Sequence, residues 1–371
     1  MANILFVTWD GGGNVLPALG IAAELHRRGE TVRFLGHEQQ RSMIERAALR
    51  FEAYSHARSF SNTVPVPWIR WVTSLFALIN DRSLGVDLLA SVQREPTDLV
   101  IIDCVLHSVL RSAEQSHVRR AVLMHSFSYI GGSSMSSDGP IARLRGRPST
   151  RPLGGAEVGL VATLRSLDPD GRKTLPSIIR FTGPVWQGTP RPAQQTDGEP
   201  RVLVSLSSLF FPGQERVLQN ALDALRGMPV RAVVTTGAGV SAGNLRVPAN
   251  AELHSYVSHA EVLPTVSLVV GHGGHATTMA ALSRDLPIIV LPMAKFMDQF
   301  KIGQALEKAG AGRLLPKRSS PARIRQAIEQ VLGDDRYRLA ASRLGAEIRQ
   351  QDGASVAADA IAEVLARSVQ T

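Results

Sequence analysis

A strand, a glycine-rich turn and an amphipathic helix open the chain, and the same rhythm starts again at Arg201. Ala2 to Trp9 (ANILFVTW) is an apolar run of strand length, and Pro17 to Arg28 (PALGIAAELHRR) follows at helical spacing. Gly29 stops that helix, and Thr31 to Leu35 (TVRFL) begins the next strand. Asp98 to Ile102 (DLVII) and Ala121 to Met124 (AVLM) are further short apolar runs. Strands apolar on both faces and separated by helices specify a parallel sheet covered on each side. Gln187 to Pro200 (QGTPRPAQQTDGEP) breaks the rhythm; rich in Pro, Gln and Gly, it reads as a linker. Arg201 to Leu206 (RVLVSL), a helix near Gln214 to Leu225, and strands at Arg231 to Thr235, Ser267 to Val270 and Pro287 to Leu291 form a second set. Helices through Ala357 to Arg367 complete it. The expected fold is α/β, two facing doubly wound Rossmann-like domains. They span 1–186 and 201–371, with linker 187–200 between them and the last helices free to pack back on the first domain. Ligands are expected at the carboxyl ends of the strands, in an interdomain cleft.

Composition narrows the function. A length of 371 residues suits two domains at roughly 100–200 residues each. The net charge of +9 is almost all arginine, since Lys173, Lys295, Lys301, Lys308 and Lys317 are the only lysines. The arginines are scattered through helical stretches without interleaved aromatics, which argues against a nucleic-acid surface. Cys104 stands alone, so a disulfide framework or a cysteine-based zinc site is excluded. No apolar run reaches the ~18–20 residues of a membrane span, and the first residues lack a basic region followed by an apolar stretch. The expectation is a cytoplasmic protein with no stable membrane insertion. Val64 to Ile79 (VPVPWIRWVTSLFALI) concentrates Trp68, Trp71 and Phe76 in a chain with 5% aromatic residues. It reads as a core helix, as a wall of an apolar acceptor pocket, or as a membrane-surface helix with Arg70 as a thin polar face.

The most informative stretch is Ser267 to Leu282, SLVVGHGGHATTMAAL. A strand runs into Gly271, His272, Gly273, Gly274 and His275, and a helix begins at about Ala276. Glycines admit close approach to the backbone, and a helix N-terminus offers unpaired N–H groups and a dipole favourable to anions. A diphosphate fits such a turn, with His272 as an added donor; a tight turn without ligand is the alternative. The Gly-Lys-Ser/Thr ending of a Walker loop is absent.

GHGGHATTMAAL, followed by LPIIVLPMAKFMDQ, resembles the donor-site signature of family 1 glycosyltransferases of GT-B fold, whose bacterial members act on antibiotics and other natural products. FTGPVW at Phe181 to Trp186, VLVSLSS at Val202 to Ser208 and HSYVSHAEVLP at His254 to Pro264 extend the resemblance. It implies inverting transfer from a UDP- or dTDP-sugar to a small, largely apolar acceptor, a polyketide or a phenolic aglycone. Direct displacement needs no covalent intermediate, metal or cofactor beyond the co-substrate. Carried over residue by residue, His272 contacts the diphosphate with the backbone of Gly274, His275, Ala276 and Thr277. Asp298 and Gln299 bind sugar hydroxyls, Ser208 lies near the phosphate or the attacked carbon, and Val257 and Ser258 border the base. Gly13, Trp68, Trp71 and His125 are assigned to the acceptor.

Departures from the family pattern bear on mechanism. Ala280 stands where the family commonly has a ribose-binding Glu, and Ala276 and Ser207 each replace a Gly. Gly13 to Pro17 matches the family's Gly-His-x-x-Pro, so Asn14 occupies the place of the general-base histidine. An amide cannot serve as a base near neutral pH. Asn14 caps the following helix or hydrogen-bonds a ligand. Asp103, the counterpart of the carboxylate that orients the histidine, acts directly as the base or is a structural acceptor. Asp10, Asp138, His107 and His125 are weaker candidates. An Asp base suits a phenolic or aromatic acceptor and brings in C-glycoside formation. Two rivals stay open: an N-acetylglucosaminyl transferase acting on a cell-wall lipid, and a non-catalytic nucleotide-sugar-binding or auxiliary protein. A homodimer is the remaining partner expectation.

Overall fold

Short runs that are apolar on both faces find cover only inside a sheet flanked by helices, and a computed structural model of the chain places them so. It describes residues 1–60, 65–128, 152–186, 192–193, 198–294 and 297–367; Asp138, with the loop 131–140, lies outside these, as does most of the linker 187–200. The chain divides into unit 1 (Met1–Ser61, Trp68–Gln187 and Gln351–Thr371) and unit 2 (Asn62–Pro67 and Gly188–Gln350).

Unit 1 holds a seven-stranded sheet: β1 (Asn3–Val7), β2 (Thr31–Gly36), β3 (Arg50–Ala53), β4 (Leu99–Asp103), β5 (Arg120–Met124), β6 (Val158–Val161) and β7 (Ile179–Phe181). The order is β3-β2-β1-β4-β5-β6-β7, and every pairing is parallel. After β1 the chain builds outward on one side through β2 and β3, then returns to the other side for β4. This reversal leaves a crevice at the carboxyl ends of β1 and β4, where ligands bind in doubly wound sheets. Asn14 and Asp103 stand there.

The helix Val15–Arg27 begins before Pro17, which falls in the first turn, where a missing N–H costs nothing. Val15, Ala18, Leu19, Ala22 and Leu25 recur at helical spacing and are buried. Its stop at Gly29 rests on a left-handed φ of 92°, with the glycine N–H bonded to His26 O at 2.9 Å. Against this helix lies the last one, Gly353–Arg367, which sends Ala357, Ala358, Ile361 and Val364 into the same core cluster. Arg28 adds bonds to Asp359 Oδ1 at 2.5 Å and Ser355 Oγ at 2.8 Å. The final helix thus belongs to unit 1, and unit 2 ends at Gln350.

Unit 2 repeats the plan with six parallel strands: β8 (Arg201–Ser205), β9 (Arg231–Thr235), β10 (Ala251–His254), β11 (Leu268–Gly271), β12 (Ile288–Val290) and β13 (Gly312–Leu314). The order β10-β9-β8-β11-β12-β13 puts its reversal between β8 and β11. Among the described residues, no helix is long and apolar enough to cross a membrane.

Candidate active site

In unit 1 three neighbouring strand ends bring Asn14, Asp103 and His125 together. β1 leads through Trp9 and the glycines to Asn14, β4 ends at Asp103, and His125 directly follows β5. The Asn14 side chain does not cap the helix that it precedes. Instead its Nδ2 donates to Trp9 O and to Asp103 Oδ2, both at 3.1 Å, and its oxygen accepts from Gly11 N at 3.1 Å. Gly11 has to be small: a Cβ there would stand 2.8 Å from that oxygen and 2.5 Å from the Trp9 ring. Asp103 is buried, with Oδ1 accepting from Val105 N at 2.9 Å. His125 Nδ1 lies 2.9 Å from Asp103 Oδ2, an ion-pair contact in which the ring is turned off the line of a good hydrogen bond.

This cluster sets its own charges. Burial alone would raise the Asp103 pKa, but the His125 charge in close contact and the hydrogen bonds from Val105 and Asn14 bring it below the ordinary value. Burial alone would lower that of His125, yet the Asp103 carboxylate and the Cys104 sulfur carry it well above 6.5. The Cys104 thiol is pushed up by burial and so stays protonated. Asp103 thus suits a fixed anion better than a base that reaches out to an acceptor. Asp103, Cys104 and His125 bring metal-ligand atoms within 4.8 Å of one another, but the direct contact of carboxylate and imidazole spends these two groups on each other.

The acceptor-side assignments separate. Gly13 is exposed on the turn before Asn14. Trp71 is buried with Leu75, Leu78 and Ile79 on the inner face of the helix Trp68–Ile79, as a core residue would be. Trp68 stacks on it at 5.5 Å and stays half exposed. Asp10 is half-buried, and burial raises its pKa.

In unit 2 the turn after β11 is tight and leads into a helix that no side chain caps. Gly273 has φ 81°, and a Cβ there would meet Gln299 O and Val290 Cγ1 at 2.8 Å. The helix His275–Leu282 begins one residue earlier than its sequence suggests, and no side chain caps it at Gly274. Its first N–H groups therefore have no intrahelical partner, among them those of Ala276 and Thr277. His272 packs on Phe211 at 6.0 Å between centroids, and its Nδ1 is buried without a hydrogen-bond partner. Burial first, then the charge of His259, brings its pKa down to about 4, so the ring is neutral at pH 7.

Asp298 opens the helix Asp298–Ala309 beside this turn. Gln299 is buried, and its oxygen accepts from Met293 N at 2.7 Å and Ala294 N at 3.1 Å. Only its amide N–H groups remain for a sugar. Ser208 is exposed after β8, while Val257 and Ser258 are half-buried before the short helix His259–Val262.

Most of unit 2, with part of the last helix of unit 1, matches a family model. Residues 219–363 fit the Erythromycin biosynthesis protein CIII-like, C-terminal domain. Demethyllactenocin mycarosyltransferase of Streptomyces fradiae is 25% identical to the chain, covering 98% of it and 87% of the relative. The 4'-demethylrebeccamycin synthase of Lentzea aerocolonigenes is also 25% identical, over 97% of the chain and 99% of the relative. The chain is a glycosyltransferase, similar along nearly its whole length to natural-product glycosyltransferases. Its fold is GT-B: the solved glycosyltransferase VinC, in complex with dTDP, superposes with a TM-score of 0.74 at 16% identity, covering 98% of this chain and 100% of that one.

In this glycosyltransferase one polar group of unit 2 escaped the sequence reading. His259 Nε2 lies 3.3 Å from Ser205 Oγ, which in turn accepts from Thr235 Oγ1 at 2.9 Å. Burial, then the Arg284 charge, lowers its pKa. The signal was present, because His259 directly follows Ser258 in the HSYVSHAEVLP segment. Arg284 sits one helical turn beyond Ala280 and donates Nη1 to its carbonyl at 3.1 Å. The region where the family commonly has an acidic side chain thus carries cationic character here.

Proposed function

We propose that this glycosyltransferase binds a UDP- or dTDP-sugar through its diphosphate at the turn His272–Thr277, and transfers the sugar with inversion to a small, largely apolar natural-product acceptor held by unit 1. The observation that carries the reading is the helix start behind Gly273, which no side chain caps and which directly follows His272 and a glycine of positive φ. A departing diphosphate gains most from donors fixed in advance, because no reorganisation is needed as charge develops. Asp298, at the start of the next helix, supplies a carboxylate for sugar hydroxyls. The names of the relatives, a mycarosyltransferase and a rebeccamycin-type synthase, support a deoxyhexose or hexose donor and a polyketide or aromatic aglycone. The dTDP complex of VinC supports a thymidine or related nucleotide.

The reaction is a single displacement: the acceptor attacks the anomeric carbon as the bond to diphosphate breaks. The test is mass spectrometry of mixtures of UDP- and dTDP-sugars with polyketide and phenolic aglycones. Glycosides are expected, with the anomeric configuration opposite to that of the donor by NMR and a rate unchanged by EDTA. Products resistant to acid hydrolysis would be C-glycosides. Retained configuration, or no glycoside from any donor, would overturn the reading.

A further inference from the structure

We infer that His125 is the general base that deprotonates the acceptor, with Asp103 and Asn14 as its positioning residues; the inference rests on the transfer reaction proposed above. Asn14 has no donor left, since both of its N–H groups are bonded within the protein, and its oxygen already accepts from Gly11 N. Asp103 is 3% exposed, and its oxygens are taken by Val105 N, Asn14 Nδ2 and His125 Nδ1. His125 differs: Nδ1 is buried against the carboxylate, yet 17% of the side chain is exposed. That exposure lies away from Nδ1, on the part of the side chain that includes Nε2, and the ring also contacts Cys104. One nitrogen thus faces an anchored anion and the other is left to meet a substrate, the division of labour that fixes a histidine tautomer for base catalysis.

The sheet explains the arrangement. β4 and β5 pair in parallel with Asp103 opposite Leu123, so His125 emerges beside the Asp103 carboxylate at the same sheet end as Asn14. In the step, Nε2 takes the proton of the acceptor hydroxyl while that oxygen bonds to the anomeric carbon. The electron pair of the broken carbon–oxygen bond leaves with the nucleoside diphosphate. Asp103 holds the imidazolium so formed, which then returns its proton to solvent. The titratable groups that face His125 are Asp103 and Cys104. Tyr54, from the segment after β3, is influenced by Asp103, while Asp168 is turned to Ser128 N and Oγ.

The experiment measures kcat/KM with a UDP- or dTDP-sugar across a series of phenols, from unsubstituted phenol to 2-chloro-4-nitrophenol, which is already ionised at neutral pH. His125→Gln should lower transfer to phenol by ~100- to 10,000-fold, and the loss should shrink steadily as the phenol becomes more acidic. For wild type, kcat/KM with phenol should rise with pH along the same curve as the His125 ring signals titrate by NMR, above 6.5. Asp103→Asn should move that rise to lower pH and slow the reaction, which loss of a merely structural carboxylate would not do. Equal losses on all phenols, an unaffected His125→Gln, or an Asp103→Asn profile that stays in place would each overturn the assignment. If His125→Gln does not fold, the wild-type comparison decides, since a rate that ignores the His125 titration contradicts a base. A wild type that glycosylates none of the phenols or aglycones would instead sink the functional reading, and this inference with it.

Discussion

Gly273 and His272 show how single residues shape the turn proposed to hold the donor. Gly273→Ala adds a Cβ at a left-handed φ and 2.8 Å from Gln299 O, so about 1–3 kcal/mol of strain is expected. The displaced Gln299 would release the loop at Met293 and Ala294, so a lower urea midpoint should accompany weaker dTDP binding by calorimetry. Unchanged values of both would contradict the tight turn. His272 and His37 have pKa values pushed down to about 4 by burial, against 6.5 when unfolded. Each is neutral in the fold and protonated in the unfolded chain between those values, so the unfolded state binds more protons there. Stability should therefore fall as pH drops from 6.5 toward 4, read from urea midpoints along that range. A midpoint that rises on acidification would contradict the burial of both rings. Asp103 was legible in the sequence because it closes an apolar strand. Its pairing with His125 was not, because the contact depends on which strands become neighbours, and only the sheet order decides that.

Among the elements, strands were the most legible, since a run such as LVVG or LVIID is buried on both faces and cannot sit elsewhere. Helix starts were less so. The helix placed from Pro17 begins at Val15, because Asn14 turns its side chain to Asp103 and leaves the helix uncapped. The tryptophan-rich helix Trp68–Ile79 was read with three meanings, and its packing selects the core for Trp71 while leaving Trp68 half exposed. Periodicity alone could not choose, because a buried face and a ligand-binding face carry the same residues. The last helix makes the strongest energetic claim. Ile361 is fully buried against the helix Val15–Arg27, so Ile361→Ala should cost about 2–5 kcal/mol through lost contact and cavity. Denaturant unfolding followed in unit 1 should show that loss; a change under about 0.5 kcal/mol, the size of an ordinary surface substitution, would mean that the helix is not anchored there.

For the whole molecule, two doubly wound units explain why a sequence without a single catalytic motif of standard form still reads as a transferase. In the proposed donor site the contacts come mostly from backbone at one sheet end, so they would survive an Ala280 where the family commonly has Glu. The proton-handling group sits at the end of another sheet, where substitution of one side chain can be met by a neighbour. The excess of arginine has no assigned ligand, and most of the ion pairs lie at exposed positions of low energetic weight. The central claim is that a nucleoside diphosphate binds at the turn His272–Thr277. Calorimetric titration of dTDP and of UDP into wild type and His272→Ala tests it most directly. Removing His272 should leave the fold intact, since its buried Nδ1 holds no partner, and should weaken binding by roughly tenfold or more, as for a lost hydrogen bond to a charged group. Saturable binding of at least one nucleotide with that loss is the predicted result; binding of neither, or equal binding by the variant, would contradict it.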